Sequence, residues 1–405
     1  MQFSAPAVNP QSVPQARDYA SYSDATLAIH AGPGPDPTTG AILTPICQST
    51  TFAQPKVGSD QAFTYTRTGN PTVAALELAL GRLEGTPPAV CTSTGMSALS
   101  VLCLATLSAG DHVIVSDVVY GGTVRLVRDL LSRFGVRATF VDTARLDHLE
   151  EALREPTQLV ILESPANPTL KLVDIRAAAI LARAAGARIA VDNTFLTAVL
   201  QRPLDLGADI SVYSTTKFIE GHNSTVGGAL LSKDAELIDA FRGLQGGLGV
   251  SQSPQEAWLT LRGLKTLPLR LQRHSASALR IAAFLESQDA VLQVHYPGLK
   301  SFPQHALARQ QQSNGGGVLA FELRGGQEAA ASFAESLRLI YLAENLGAVE
   351  SLLTHPATMT HWRLEASERA RLGIGDALLR LSVGLEDPVD LISDISQALQ
   401  VGGVR

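Results

Sequence analysis

The chain has 405 residues, 45% hydrophobic and only 5% aromatic, with 32 basic and 38 acidic side chains and a net charge of −6. That length implies two or three domains rather than one small core, and plentiful small residues suit helices packed tightly on a sheet. No basic tract is long enough to follow a phosphate backbone, no run reaches ~18 apolar residues, and the three cysteines lack CxxC spacing, which sets aside nucleic-acid binding, membrane spanning, a disulfide framework and a cysteine-rich zinc site.

Residues 1–64 read as an extended arm. Met1 to Gln15 is rich in Pro, Ser and Gln without an apolar segment, so no secretory signal is expected. Gly32-Pro33-Gly34-Pro35-Asp36-Pro37 breaks periodicity further on. An arm this long and poorly patterned gains order by wrapping a neighbouring subunit. With unpaired cysteines and no leader, the expected location is the cytoplasm.

Residues 65–262 read as a large ligand-binding domain. Tyr65-Thr66-Arg67 places a phenol and a guanidinium two residues apart, before a helix starting near Pro71. Both can reach a phosphate, and a solvated turn is the plainer alternative. Short apolar runs follow at Ala89–Cys91, His112–Val115, Ala138–Val141, Leu159–Leu162, Ile189–Val191, Ile210–Val212 and Ala229–Leu231. Amphipathic stretches such as Val124–Leu131 alternate with them. The alternation predicts an α/β fold with a mostly parallel sheet covered on both faces, and ligands beyond the carboxyl ends of its strands.

Four segments at such strand ends carry chemistry. Thr94-Gly95-Met96-Ser97 opens a helix, where backbone N–H groups favour an anion, or simply cap the helix. Tyr120-Gly121-Gly122 offers a phenol ring uncrowded by its neighbours, or a turn. Asp192 ends one β-branched run, and Ser214-Thr215-Thr216-Lys217 follows the next. A lysine that forms a Schiff base and a carboxylate that keeps a pyridine nitrogen protonated are the groups a pyridoxal phosphate (PLP) site needs most. Taken singly, a surface lysine and a solvated strand-end aspartate are the plainer reading; the combination with the other segments reverses it. No glycine fingerprint for a dinucleotide and no P-loop is present.

A long helical segment, about Pro254 to Ser287, leads into residues 263–405, a smaller α+β domain. Its strands are expected at Val291–Val294 and Val318–Phe321, and its helices at Gln327–Leu337 and Pro388–Leu399. Arg380 sits in an apolar run, where a buried guanidinium needs an anion: a substrate carboxylate or an internal salt bridge. His355 and His361 lack the spacing of a metal pair, so no metal is expected.

These segments together resemble the Cys/Met-metabolism PLP enzymes, the transsulfuration group of cystathionine γ-synthases, γ-lyases, β-lyases and methionine γ-lyases. The matching stretches are Tyr65–Thr72, Thr94–Ala98, Tyr120–Thr123, Glu163–Pro168, Val191–Phe195, Ser214–Lys217, Gly221–His222, Arg262–Leu267, Leu342–Leu352 and Arg380–Glu386. The resemblance implies the PLP-dependent aminotransferase-like architecture (fold type I) and a homotetramer whose active sites are shared across a dimer interface. It implies that Lys217 holds the cofactor and carries protons, that Asp192 pairs with the pyridine nitrogen, that Tyr120 stacks on the ring and that Asn167 lies near the ring's phenolic oxygen. Gly95, Met96, Ser214 and Thr216 would hold the phosphate, with Tyr65 and Arg67 reaching over from the partner subunit, and Thr194 would also contact the cofactor. Arg380, Asn345, Glu344, Thr64 and Arg125 would meet the amino-acid substrate.

The sequence departs from that pattern at several points. Thr64 stands where cystathionine-specific relatives tend to carry an acid, Asn345 where serine is usual, and Asn223-Ser224-Thr225 where a serine-aspartate pair is common. Glu344 is kept, as in γ-lyases and γ-synthases, and Gly122 replaces the cysteine usual in methionine γ-lyases. The resemblance therefore leads us to expect α,γ-elimination on a γ-substituted amino acid: cystathionine, or a substrate with a cationic distal group such as canavanine. The alternative is γ-replacement on an O-acylhomoserine by a thiol.

Overall fold

β-Branched runs too short for helices, and apolar on both faces, assemble the larger sheet. The computed structural model describes residues 21–401, so the start of the expected arm and the stretch read for a secretory signal lie outside the described residues. The strands are β1 Val90–Thr92, β2 His112–Ser116, β3 Arg137–Val141, β4 Leu159–Glu163, β5 Arg188–Asp192, β6 Ile210–Tyr213 and β7 Gly228–Leu231, in the order β1-β7-β6-β5-β4-β2-β3. β3, β2, β4, β5 and β6 run parallel, and β7 is antiparallel to both of its neighbours. β2, β4 and β6 are buried along their whole length. That pattern is expected of strands covered on both faces.

The second sheet has β8 Val291–His295, β9 Val318–Leu323, β10 Tyr341–Leu342, β11 Leu352–Thr354 and β12 Leu378–Ser382, in the order β10-β11-β12-β9-β8. It is antiparallel apart from the β10–β11 pair. Helices Gly326–Ser336 and Pro388–Val401 belong with it, and Phe321 packs edge-on against Phe333 at 5.7 Å. We propose a division near residue 262, because the first sheet ends at Leu231 and the second begins at Val291.

Two expected elements take a different form. The segment expected as one helix from Pro254 to Ser287 is two helices, Pro254–Leu264 and Leu267–Glu286, interrupted at Lys265 and Thr266. Pro268 falls in the first turn of the second helix, where a missing N–H costs nothing. The amphipathic stretch Val124–Leu131 begins as a helical turn, Gly121–Val124, widens into a π-helical turn over Arg125–Leu130 and tightens over Leu131–Phe134. That widening re-aims the side chains after Val124.

Leu261, Leu264, Leu267 and Leu271 lie in one buried cluster with Ala229 and Leu231 of the first sheet and Val318, Ala320 and Leu378 of the second. Buried Arg270 ties the same helices to the loop after Lys217. It donates to the carbonyls of Phe218 (2.7 Å), Ile219 (3.2 Å) and Gly263 (2.8 Å). Gly221 is required there, with φ +78° and a Cβ position only 2.2 Å from the Arg270 guanidinium.

Asp394 organises the entry to β10. Its Oδ1 accepts from Arg338 N at 2.9 Å, and its Oδ2 from Leu339 N at 2.9 Å and Ile340 N at 3.1 Å. Burial pushes its carboxyl up, but these N–H bonds outweigh burial and hold it below the usual aspartate value. An amide presents only one acceptor, so Asp394→Asn should cost about 1–3 kcal/mol in urea unfolding. A lowered folded pKa gives stability that is present above the unfolded value and lost as pH falls through the folded one. The parent should therefore lose its advantage over the variant on acidification below about pH 4.

Candidate active site

The carboxyl ends of β4, β5 and β6 deliver Glu163, Asp192 and the Ser214–Lys217 turn to one cleft of about 1070 Å³, mouth included. Gly95, Met96, Tyr120, Asn167, Asp192, Thr194, Ser214, Thr216, Lys217, Glu344, Asn345 and Arg380 all line it. Thr94, Glu163, Phe195, Val226 and Thr360 line it as well; Thr94, Glu163 and Phe195 fall within the stretches that carry the resemblance, but none of the five was expected as a site residue. Glu163 had a legible signal: like Asp192, it is a carboxylate closing an apolar strand.

Thr194 fixes the two central strand ends to each other. Its hydroxyl donates to Asp192 Oδ1 at 2.6 Å and accepts from Ser214 N at 2.9 Å. Thr194 N also donates to Oδ1, at 3.0 Å, which leaves Oδ2 of this cleft-lining carboxylate for a ring N–H. Burial pushes the Asp192 carboxyl up, and the Thr194 bonds pull it back. A cation against it would favour the ionised form.

Lys217 Nζ donates to Asn345 Oδ1, and Asn345 Nδ2 donates to Asn223 Oδ1 at 2.6 Å. Burial, with the Arg380 charge adding to it, brings the Lys217 amine down to about 8. Such an amine is a usable nucleophile and base near neutrality.

Arg380, on β12, is 3% exposed. It donates to Asn167 Oδ1 (2.8 Å), Asn345 O (3.1 Å) and Thr354 Oγ1 (3.0 Å). Its Nε is buried without a hydrogen-bond partner, and among the described residues no carboxylate forms a salt bridge with it. Burial lowers its pKa to about 10, against the attraction of Glu163, Glu344 and Tyr120. The internal salt bridge is thus absent among the described residues, and an incoming carboxylate has a donor waiting.

The cleft wall at Thr94, Gly95 and Ser214 suits a phosphate. The twelve-residue helix Gly95–Thr106 points its N-terminus there, capped by the Thr94 hydroxyl on Ser97 N at 3.0 Å. A Cβ at Gly95 would lie 2.8 Å from Ser214 Cβ, so only glycine lets the helix start meet that turn. The lysine, the carboxylate and the glycine cradle together fit PLP. At Gly122 a Cβ would lie 2.4 Å from Tyr120 Cε1 and 2.6 Å from Met96 Sδ. Gly122→Ala should displace the phenol and weaken PLP binding by about 1–3 kcal/mol, read by titrating the apoprotein with PLP and following absorbance.

Four expected site residues stand outside this cleft. Arg67 donates to Gly246 O at 2.6 Å, with its guanidinium 5.7 Å from the Tyr65 ring centre. The Thr64 carbonyl accepts from Phe52 N at 3.0 Å. Arg125 starts the π-helical turn and lines an adjoining cleft with Thr360, His361 and Trp362. Among the described residues no three His, Cys, Asp or Glu side chains group to hold a metal, and no helix is long and apolar enough to cross a membrane.

Sheet order and site chemistry define a PLP-dependent enzyme of fold type I. Comparison narrows this. The profile of the family described as "Cys/Met metabolism PLP-dependent enzyme" matches residues 25–400, and the chain belongs to that family. It is similar to a cystathionine gamma-synthase of Mycobacterium tuberculosis, 47% identical over 93% of this chain and 96% of that protein. A cystathionine gamma-lyase of Bacillus subtilis is 43% identical over 93% of this chain and 98% of the relative. Among solved structures, the Xanthomonas oryzae pv. oryzae cystathionine gamma synthase in complex with aminoacrylate and cysteine superposes with a TM-score of 0.92 at 43% identity, covering 94% and 98% of the two chains.

Proposed function

We propose that the protein removes the γ-substituent of an amino acid by α,γ-elimination, releasing a 2-oxo acid, ammonia and the γ-group, with cystathionine as its first substrate. The observation that carries this reading is the pairing, in one cleft, of an unsatisfied Arg380 donor for the α-carboxylate with Glu344 at the mouth. Glu344 suits a distal ammonium, such as that of cystathionine, or a guanidinooxy group such as that of canavanine.

Bound PLP supplies an electron sink beside the substrate's α-carbon. Arg380 takes the carboxylate and so fixes which α-bond faces Lys217. Lys217 Nζ would hold the cofactor and, once displaced by the substrate amine, would take the α-proton. Asp192 would pair with the ring nitrogen, Tyr120 would stack on the ring, and Asn167 would meet its phenolic oxygen. Ser214, Thr216 and the N–H groups at Gly95 and Met96 would hold the phosphate.

The phosphate end has no basic side chain among its lining residues, Thr94, Gly95, Met96, Ser214 and Thr216. This supports completion by Tyr65 and Arg67 of the partner subunit, within a homotetramer. Mixing Lys217→Ala chains with Arg67→Ala chains should then restore part of the activity lost in each. If mixed chains stay as inactive as either variant alone, the sharing is refuted. We also read a cytoplasmic location, on the three free cysteines.

A second reading, γ-replacement, is favoured by the 47% identity to a synthase. Incubation with cystathionine, canavanine, homocysteine, methionine, and O-succinylhomoserine plus cysteine, with products identified by mass spectrometry, decides between them. A 2-oxo acid and ammonia from cystathionine support elimination. Cystathionine formed from the ester and the thiol, without keto acid, overturns it.

A further inference from the structure

Glu163 is the last residue of β4 and the register partner of Asp192 on β5. It is 5% exposed. Its two carboxylate oxygens are used separately. Oε2 accepts from the backbone N–H of Tyr120 at 2.7 Å, and Oε1 from the backbone N–H of Asn167 at 2.8 Å. Those two residues are the ones placed above on the ring face and at its phenolic edge. The Asn167 side chain is held in turn by Arg380 Nη1 at 2.8 Å. Among the described residues the Tyr120 hydroxyl has no hydrogen-bond partner, and the side chain is 42% exposed. The stance of the phenol is therefore set mainly through its backbone.

A second carboxylate buried beside Asp192 is an expensive staple. Burial and the Asp192 charge both push the Glu163 carboxyl well above its ordinary value, and the two N–H bonds pull it back. A neutral acceptor could pin one loop without that cost. Only a carboxylate offers two strong acceptor oxygens to two loops at once.

We propose that Glu163 is a positioning residue for the cofactor: its two carboxyl oxygens set Tyr120 over the ring and Asn167 at its edge. This rests on the cofactor placement proposed above. Two variants separate acceptor pairing from reach. Glu163→Gln keeps the length but turns an NH2 toward one of the two N–H groups. Glu163→Asp keeps both acceptor oxygens but is one methylene too short to hold both.

Both variants should weaken PLP binding to the apoprotein at least about tenfold and shrink the visible circular-dichroism band of the bound cofactor. At saturating PLP the dichroism per bound cofactor should stay smaller in both variants, because Tyr120 and Asn167 no longer hold the ring in one pose. A purely structural role would lower the melting temperature of the apoprotein and leave the dichroism per bound cofactor in place. A Gln variant within about twofold of the parent's PLP affinity, or one with the parent's dichroism per bound cofactor, overturns the proposal. Borohydride reduction and peptide mapping of the parent run alongside. A pyridoxyl adduct on Lys217 with unchanged variants defeats this inference alone, and an adduct elsewhere defeats the cofactor placement and this inference with it.

Discussion

Lys217→Arg should lower turnover by about 10²–10⁴-fold or more, the range associated with one positioned proton-transfer group. Arginine keeps the positive charge but stays protonated at any working pH, so it cannot act as nucleophile or base. Lys217 is suited to both tasks because burial holds its amine near 8, and because Asn345 Oδ1 takes its hydrogen bond. The same origin sets the pH dependence. The amine gains basic form as pH rises through about 8, so PLP uptake by the apoprotein should quicken across that interval. Stopped-flow mixing with PLP between pH 6.5 and 9.5 reads this, with the arginine variant as a flat control. A variant with parental turnover would remove Lys217 from the chemistry.

Arg380→Lys should reduce kcat/KM by about 10–10²-fold, with most of the loss in KM. The guanidinium spends Nη1 and Nη2 on Asn167, Asn345 and Thr354, and keeps Nε buried and unsatisfied. An ammonium has three donors in the wrong geometry and cannot serve three fixed acceptors and a carboxylate together. Thr354 Oγ1, also buried, would lose its guanidinium donor, so a drop in melting temperature should accompany the kinetic defect. Competition by substrate analogues with and without the α-carboxylate separates the two effects. The parent should discriminate strongly between them, and the variant weakly.

Much of the architecture was legible in the sequence because most strands of the larger sheet are short apolar runs rich in β-branched residues, β7 (Gly228–Leu231) being the exception. His112–Val115 and Leu159–Leu162 were within a residue of their observed ends. The lysine–aspartate pair stood out because a polar side chain closing an apolar strand is exposed to whatever lies beyond the sheet. Other features depend on contacts that no local pattern encodes. β10 has two residues and β11 three, too short for any period to register. Arg125 was expected at the substrate only through the family resemblance; it begins a π-helical turn and lines the adjoining cleft. Glu163 was legible as a strand-end carboxylate, yet its hold on Tyr120 spans 43 positions of sequence and emerges only from the sheet order. Tyr65, Arg67 and Thr64 lie on a surface of the chain away from its own cleft, where a one-chain pattern cannot say what they face.

The leucines at 261, 264, 267 and 271 belong to both halves of the molecule at once. A gene cut near residue 262 would leave each half with an oily stripe and no cover for it. Neither piece is expected to be an autonomous module that could be transplanted or exchanged. Binding at the cleft should instead be felt by the whole chain, because the walls that grip the substrate share their foundations.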